Sequence, residues 1–173
     1  QDDMVVFYGS STIRLWKNLA EDFPRVNTLN LGFGGAFISS LSLNFKRLFT
    51  FNSPKAIVLY LGGNDLSLNW SAQKIVDKIK TFIFKVHQNY PASTIINLSL
   101  KPSFERFQQM EKIIEINSLM KSFAESNTFL KQIDFFDSFM LNGEVDPQFF
   151  LQDGLHLNAK GYKVVRSKLQ DHI

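Results

Sequence analysis

The sequence contains no cysteine. That excludes a disulfide framework and any thiolate metal site, while reducing and oxidising compartments stay equally open. Long apolar runs are missing too. The longest, Ala56 to Leu61, is far short of the roughly 20 residues a helix needs to cross a bilayer, so no membrane span is expected. Basic residues do not cluster. The formal charge of +3 comes from lysines such as Lys74, Lys78, Lys80 and Lys85 spread along a helical segment, which argues against a nucleic-acid partner. Histidine is scarce, with three copies. Two of them, His87 among the lysines and His172 at the terminus, read as solvated surface groups. No repeat, low-complexity tract or linker interrupts the pattern. The chain opens on Gln1 without a Met and enters a strand almost at once, so an upstream signal peptide or helix is compatible with it and localisation is not read from it.

What is present reads as globular. Hydrophobic residues make up 45% and charged residues 20% of 173 positions, so residues 1–173 are expected to form one domain that buries roughly 70% of the surface its unfolded chain exposes. Five short apolar, β-branched or aromatic runs (Met4 to Tyr8, Val26 to Leu31, Ala56 to Leu61, Thr94 to Leu100, Gln132 to Phe136) alternate with stretches of helical period. Trp70 to Tyr90 sets Ile75, Val76, Ile79, Phe82, Ile83 and Val86 on one helical face. A second helix is expected from Glu105 to about Glu125, burying Phe107, Met110, Ile113, Ile114, Asn117 and Met120. The last should be capped by Asn158 and bury Tyr162, Val165 and Leu169. Alternating strands and helices mean βαβ units, a parallel sheet and right-handed crossovers. The predicted fold is a three-layer α/β/α sandwich around a five-stranded parallel sheet, with ligands bound at the carboxyl ends of the strands.

Four short motifs fall at those ends. The first strand runs into Gly9-Ser10-Ser11, where a hydroxyl on a strand-to-helix turn stands at the sheet edge; Ser11 alone reads more readily as a helix cap. Asn30 to Gly35 carries three glycines in four residues, which frees backbone N–H groups at a helix start. A plain turn or a phosphate loop would look similar, but the spacing does not match the Gly-x-Gly-x-x-Gly fingerprint. Gly62-Gly63-Asn64-Asp65 follows the third strand, and as an isolated dipeptide Asn64-Asp65 reads as an Asx turn. Asp153-Gly154-Leu155-His156 places a carboxylate within hydrogen-bond reach of an imidazole, and a metal there would want a third ligand that the neighbourhood lacks. Together the four supply a nucleophile, a base, an orienting acid and oxyanion donors, the set that acyl transfer requires.

With these blocks in this order and spacing, the chain resembles an SGNH hydrolase of the GDSL type over nearly its whole length. The resemblance implies a flavodoxin-like sandwich of strand order 2-1-3-4-5 and activity as an esterase, lipase, thioesterase or carbohydrate deacylase without a cofactor. Ser10 departs from the family by replacing the Asp of Gly-Asp-Ser. Leu157 departs by replacing a Pro after the His, a change expected to loosen that turn slightly. The expected machinery is Ser11 as nucleophile, His156 as base and Asp153 behind it. The oxyanion would be held by the N–H groups of Ser11 and Gly35 and the amide of Asn64, and no metal is involved. Phe33, Phe37, Phe149 and Phe150 are candidates for apolar walls around a small acyl group, so short-chain and acetyl esters, including those of carbohydrates, are the expected substrates. A lysophospholipase or thioesterase of the same family, a non-catalytic glycan- or acyl-binding module, and a flavodoxin-like nucleotide binder are the other readings. Lys101 and Arg106, in a Lys-Pro-Ser block seen in one bacterial subgroup, are read as structural ion-pair or helix-start residues.

Overall fold

The computed structural model describes residues 3–173. Its sheet sets β1 (Met4–Gly9) between β2 (Asn27–Asn30) at one edge and β3 (Ala56–Tyr60) at the centre, with β4 (Thr94–Leu98) and β5 (Leu130–Ile133) following outward. All four pairings are parallel and the order is β2-β1-β3-β4-β5. The sequence explains which strands are central. Val5, Val6 and Phe7 of β1 and Ile57, Val58 and Leu59 of β3 are 0% exposed, forming continuous apolar runs rather than an alternation. That is the mark of a strand covered on both faces. β2 carries Asn27, Thr28 and Asn30, leaves both ends exposed, and lies at the sheet edge.

Helices cover both faces. α1 (Ser11–Arg14) and α2 (Leu19–Asp22) are single turns after β1, α3 (Ile38–Leu48) follows β2, and α4 (Ala72–Asn89) follows β3. Ser71 caps α4 by accepting a hydrogen bond from the Lys74 N–H at 3.2 Å, and all six residues of the expected apolar face are buried. Each such side chain contributes roughly 1.5–3 kcal/mol to the packed state. α6 (Ala159–Leu169) begins as expected, with the Asn158 side chain accepting from Gly161 N–H, and it buries Tyr162, Val165 and Leu169.

Three expectations are corrected. α5 (Met110–Glu125) starts five residues late, because the N–H groups of Phe104 and Glu105 are held by the Gly154 carbonyl at 3.0 and 3.3 Å and residues 101–106 stay a loop. Phe107 and Ile114 are consequently 68% and 52% exposed, while Ile116 takes a core position beside Ile113, Asn117 and Met120. β5 ends at Ile133, earlier than expected. The Asp134 carboxylate accepts from Phe136 N–H and Ser99 Oγ from Phe135 N–H, which turns the chain into a 3-10 helix and sends Phe135 and Phe139 into the core. His87 is not a solvated group: it is half-buried and stacked on Phe129, with ring centroids 3.8 Å apart. α3 was not assigned from sequence, since its apolar residues Ile38, Leu41 and Phe45 are separated by polar ones and begin straight after the glycine loop.

Candidate active site

Ser11 opens α1 immediately beyond the carboxyl end of β1. The approach is fixed by Gly9, where an added Cβ would come within 2.5 Å of the Tyr60 carbonyl oxygen on β3. Only glycine lets β1 finish that close to its neighbour. The Ser10 carbonyl then accepts from the N–H groups of Ile13 and Arg14, which closes the turn that presents Ser11.

His156 reaches this hydroxyl from the far end of the chain. Its Nε2 lies 3.1 Å from Ser11 Oγ, and its Nδ1 lies 2.6 Å from Asp153 Oδ2. The other carboxylate oxygen accepts from the backbone N–H groups of Leu155 and His156, both at 2.9 Å. The hydrogen bond to the His156 ring, with help from those two N–H groups, pulls the Asp153 carboxyl down to about 2. Gly154 makes the turn at φ +65°. The turn is closed by Leu151 N–H donating to the His156 carbonyl at 2.8 Å, and Leu157 is buried and bridged to Phe150, so a proline is not what orders it.

The glycine loop and the Asn64 loop meet beside Ser11. Asn30 ties the first of them to α1, donating to the Ile13 carbonyl at 2.8 Å and accepting from Gly32 N–H at 3.0 Å. Gly35 stands at φ +68°, a left-handed conformation that favours glycine. Asn64 Nδ2 donates to the Ala36 carbonyl at 3.0 Å, which uses one of its two amide protons and leaves the other. Among the described residues, the N–H groups of Ser11 and Gly35 have no protein acceptor. Asp65 was quoted in the motif without a role. It is 1% exposed and accepts from Ile38 N–H at 3.2 Å, pinning the start of α3, and with it the glycine loop, to the Asn64 loop. Burial pushes its carboxyl above the usual carboxylate range.

The model of the GDSL-like Lipase/Acylhydrolase family matches residues 6–164. The chain belongs to that family. Solved structures share the fold of this acylhydrolase. A Streptococcus pneumonia protein named for platelet activating factor is 24% identical at a TM-score of 0.87, with 99% of this chain and 84% of that one covered. A GDSL-like lipase from Bacteroides thetaiotaomicron is 20% identical at 0.82, with 98% and 86% covered. A carbohydrate esterase family 3 protein from Talaromyces cellulolyticus is 14% identical at 0.71, with 97% and 94% covered. A search of curated proteins returned no significant match.

Beside Ser11 and His156 lies a small cleft, partly open to solvent. Its apolar wall is made by Tyr60, Leu66, Leu100 and Leu155. None of the four expected phenylalanines lines it. Phe150 is buried against Phe104 and Phe139, Phe149 packs edge-on to Phe139, Phe33 lies against Tyr8, and Phe37 is the half-buried residue that precedes α3.

Lys101 and Arg106 do line the cavity, and sequence reasoning gave them no part in the site. Lys101 is 6% exposed, and its Nζ donates to the Leu155 carbonyl at 2.6 Å, one residue from His156. Burial, and then the nearby Arg106 charge, pull its ammonium down to about 7, with Asp153 opposing. Among the described residues Arg106 makes no ion pair. One guanidinium nitrogen approaches Asn64 Oδ1 at 3.5 Å. The signal available in the sequence was two cations clustered just past the end of β4, where the other motifs also stand after strands.

Proposed function

We propose that the protein is a serine esterase that hydrolyses short-chain carboxylic esters through an acyl-enzyme on Ser11. The observation that carries this reading is the hydrogen-bonded line Ser11–His156–Asp153, at 3.1 and 2.6 Å. His156 Nε2 takes the Ser11 proton as Oγ attacks the ester carbonyl, and Asp153 fixes the tautomer and stabilises the imidazolium that results. The tetrahedral oxyanion is held by the N–H groups of Ser11 and Gly35 and by the second amide proton of Asn64. His156 then protonates the departing alkoxide, and water repeats the cycle on the acyl-enzyme, returning the proton to Ser11 through His156.

The small cleft and its four apolar neighbours favour an acyl group of acetyl size. An alcohol as large as a sugar would lie outside. Labelling with a fluorophosphonate, followed by peptide mass spectrometry, tests the assignment. The adduct is expected on Ser11 and is lost in S11A. Absence of labelling in folded protein would favour a binding module on the same fold.

A further inference from the structure

Two cations border the cavity on the side formed by the Asn64 loop and the His156 turn. Arg106 approaches Asn64 Oδ1 at 3.5 Å, and Lys101 Nζ is bound to the Leu155 carbonyl beside His156. Neither has a carboxylate partner. Among the described residues the single ion pair is His156 with Asp153, and both oxygens of that carboxylate are occupied by the imidazole and two backbone N–H groups. Glu105, next to Arg106, is exposed and forms no ion pair.

A buried cation in no ion pair is costly, and a second cation close by adds to the cost, of which the Asp153 charge offsets only a part. Burial and Arg106 indeed lower the proton affinity of Lys101. An anion in the cavity removes both penalties at once. Arg106 is built to receive one: a guanidinium offers five N–H donors in a planar fork, and protein acceptors occupy one of them at a long distance. We propose that Arg106 and Lys101 form an anion-recognition subsite, so that the preferred ester carries a carboxylate or phosphate close to its scissile bond. The proposal rests on Ser11 being the nucleophile, and it names the substrate class of that same site.

The alternative is that Arg106 merely steadies the Asn64 amide. That role would affect every ester equally, whereas a subsite affects charged esters alone. The decisive comparison is kcat/KM for wild type, R106Q and R106K on matched aryl acetates whose alcohol ring bears a carboxylate, a phosphate or a neutral carboxamide. A second pair, aryl hemisuccinate and its methyl ester, puts the charge on the acyl side. Dividing wild type by R106Q for each substrate cancels intrinsic leaving-group reactivity. At least one charged ester is expected to lose roughly tenfold or more relative to its neutral partner in R106Q, with partial recovery in R106K, and the gap should narrow as salt is raised. The charged ester that loses most identifies carboxylate or phosphate, and alcohol or acyl side. Calorimetric binding of the same esters to S11A gives a readout that needs no turnover. If wild type cleaves no ester, a charged-over-neutral binding preference in S11A that disappears in S11A/R106Q still supports the subsite while the nucleophile reading falls. Equal ratios for charged and neutral esters, with no binding preference in S11A, would overturn the proposal.

Discussion

Asn64 carries two amide protons. One proton holds the Ala36 carbonyl at 3.0 Å, which fixes the side chain; in the proposed mechanism the other meets charge that appears only in the transition state. Preorganised donors of this kind are worth roughly 10²–10³ in kcat. The N64A variant is therefore expected to lose roughly that factor in kcat with KM little changed, as steady-state kinetics would read. A near-native kcat would remove Asn64 from the oxyanion hole. Asp153 acts from a half-exposed position, so its effect on the imidazole comes from geometry rather than from a dry surrounding: two backbone N–H groups aim one oxygen, and the other is left for His156 Nδ1. Because its folded carboxyl titrates below the ordinary 3.8, at about 2, it stabilises the fold above that ordinary value. This contribution fades as pH falls through about 2. In D153N the loss of stability between pH 4 and about 2, followed by urea midpoints, is expected to be shallower than in wild type.

At the scale of elements, the loop 101–106 decides how firmly the His156 turn is held. Its Phe104 and Glu105 N–H groups bind the Gly154 carbonyl, and its Lys101 ammonium binds the next carbonyl, that of Leu155. Gly154 has no room for a side chain. A Cβ there would meet the Phe104 Cβ at 3.0 Å in a backbone already at φ +65°, whereas a Cβ on Gly35, at φ +68°, would meet nothing within 4 Å. Left-handed strain alone costs roughly 1–2 kcal/mol. G35A should lose about that much in chemical denaturation and G154A distinctly more; equal losses would mean that the Phe104 contact yields. Lys101 gives the same loop a pH signature. Its folded pKa, about 7, lies below the ordinary 10.5, so between those values the unfolded chain binds the extra proton. Stability rises with pH wherever the unfolded state holds more protons, and the cost of burying the charge is full below pH 7. The buried tyrosines Tyr8 and Tyr162 titrate upward of their ordinary value and oppose the trend only above about pH 10. Wild type is therefore expected to gain stability from pH 7 to 9.5, and K101M to show a flatter profile over that interval in thermal melts.

For the whole molecule, the sheet order gathers the site. β1 and β3 are neighbours at the centre, so the loops that follow them place Ser11 and Asn64 side by side. The β2 crossover then brings the glycine loop to the same edge. The small cleft predicts a chain-length series in which kcat/KM falls from acetyl and propionyl aryl esters to decanoyl ones, since that ratio reports differential binding of the transition state. A steady rise toward long chains would point instead to a lipase or lysophospholipase.

Much of this was legible from the chain alone. Apolar runs with no polar alternation at Val5 to Phe7 and Ile57 to Leu59 can only be buried on both faces, which specifies the covered parallel sheet. Ser11, Gly35, Asn64, Asp153 and His156 were singled out because each stood at a strand end or before the last helix. What the sequence did not reveal has one physical cause: it depends on partners distant along the chain. Phe149 and Phe150 look like cleft walls beside the Asp-x-x-His turn, yet Phe139, ten or so residues upstream, draws them inward. The late start of α5 follows from a hydrogen bond to Gly154, far down the chain. Lys101 and Arg106 read as structural ion-pair or helix-start residues. Only the packing of their loop against His156 and Asn64 leaves Lys101 buried and Arg106 half-buried, both lining one cleft and neither in an ion pair among the described residues. Residue type and spacing along the sequence determined the sheet and singled out the proposed reacting groups, because period and strand-end position are local properties. The tertiary structure alone decided the walls and charge of the cavity, because those are set by which distant side chains are brought into contact.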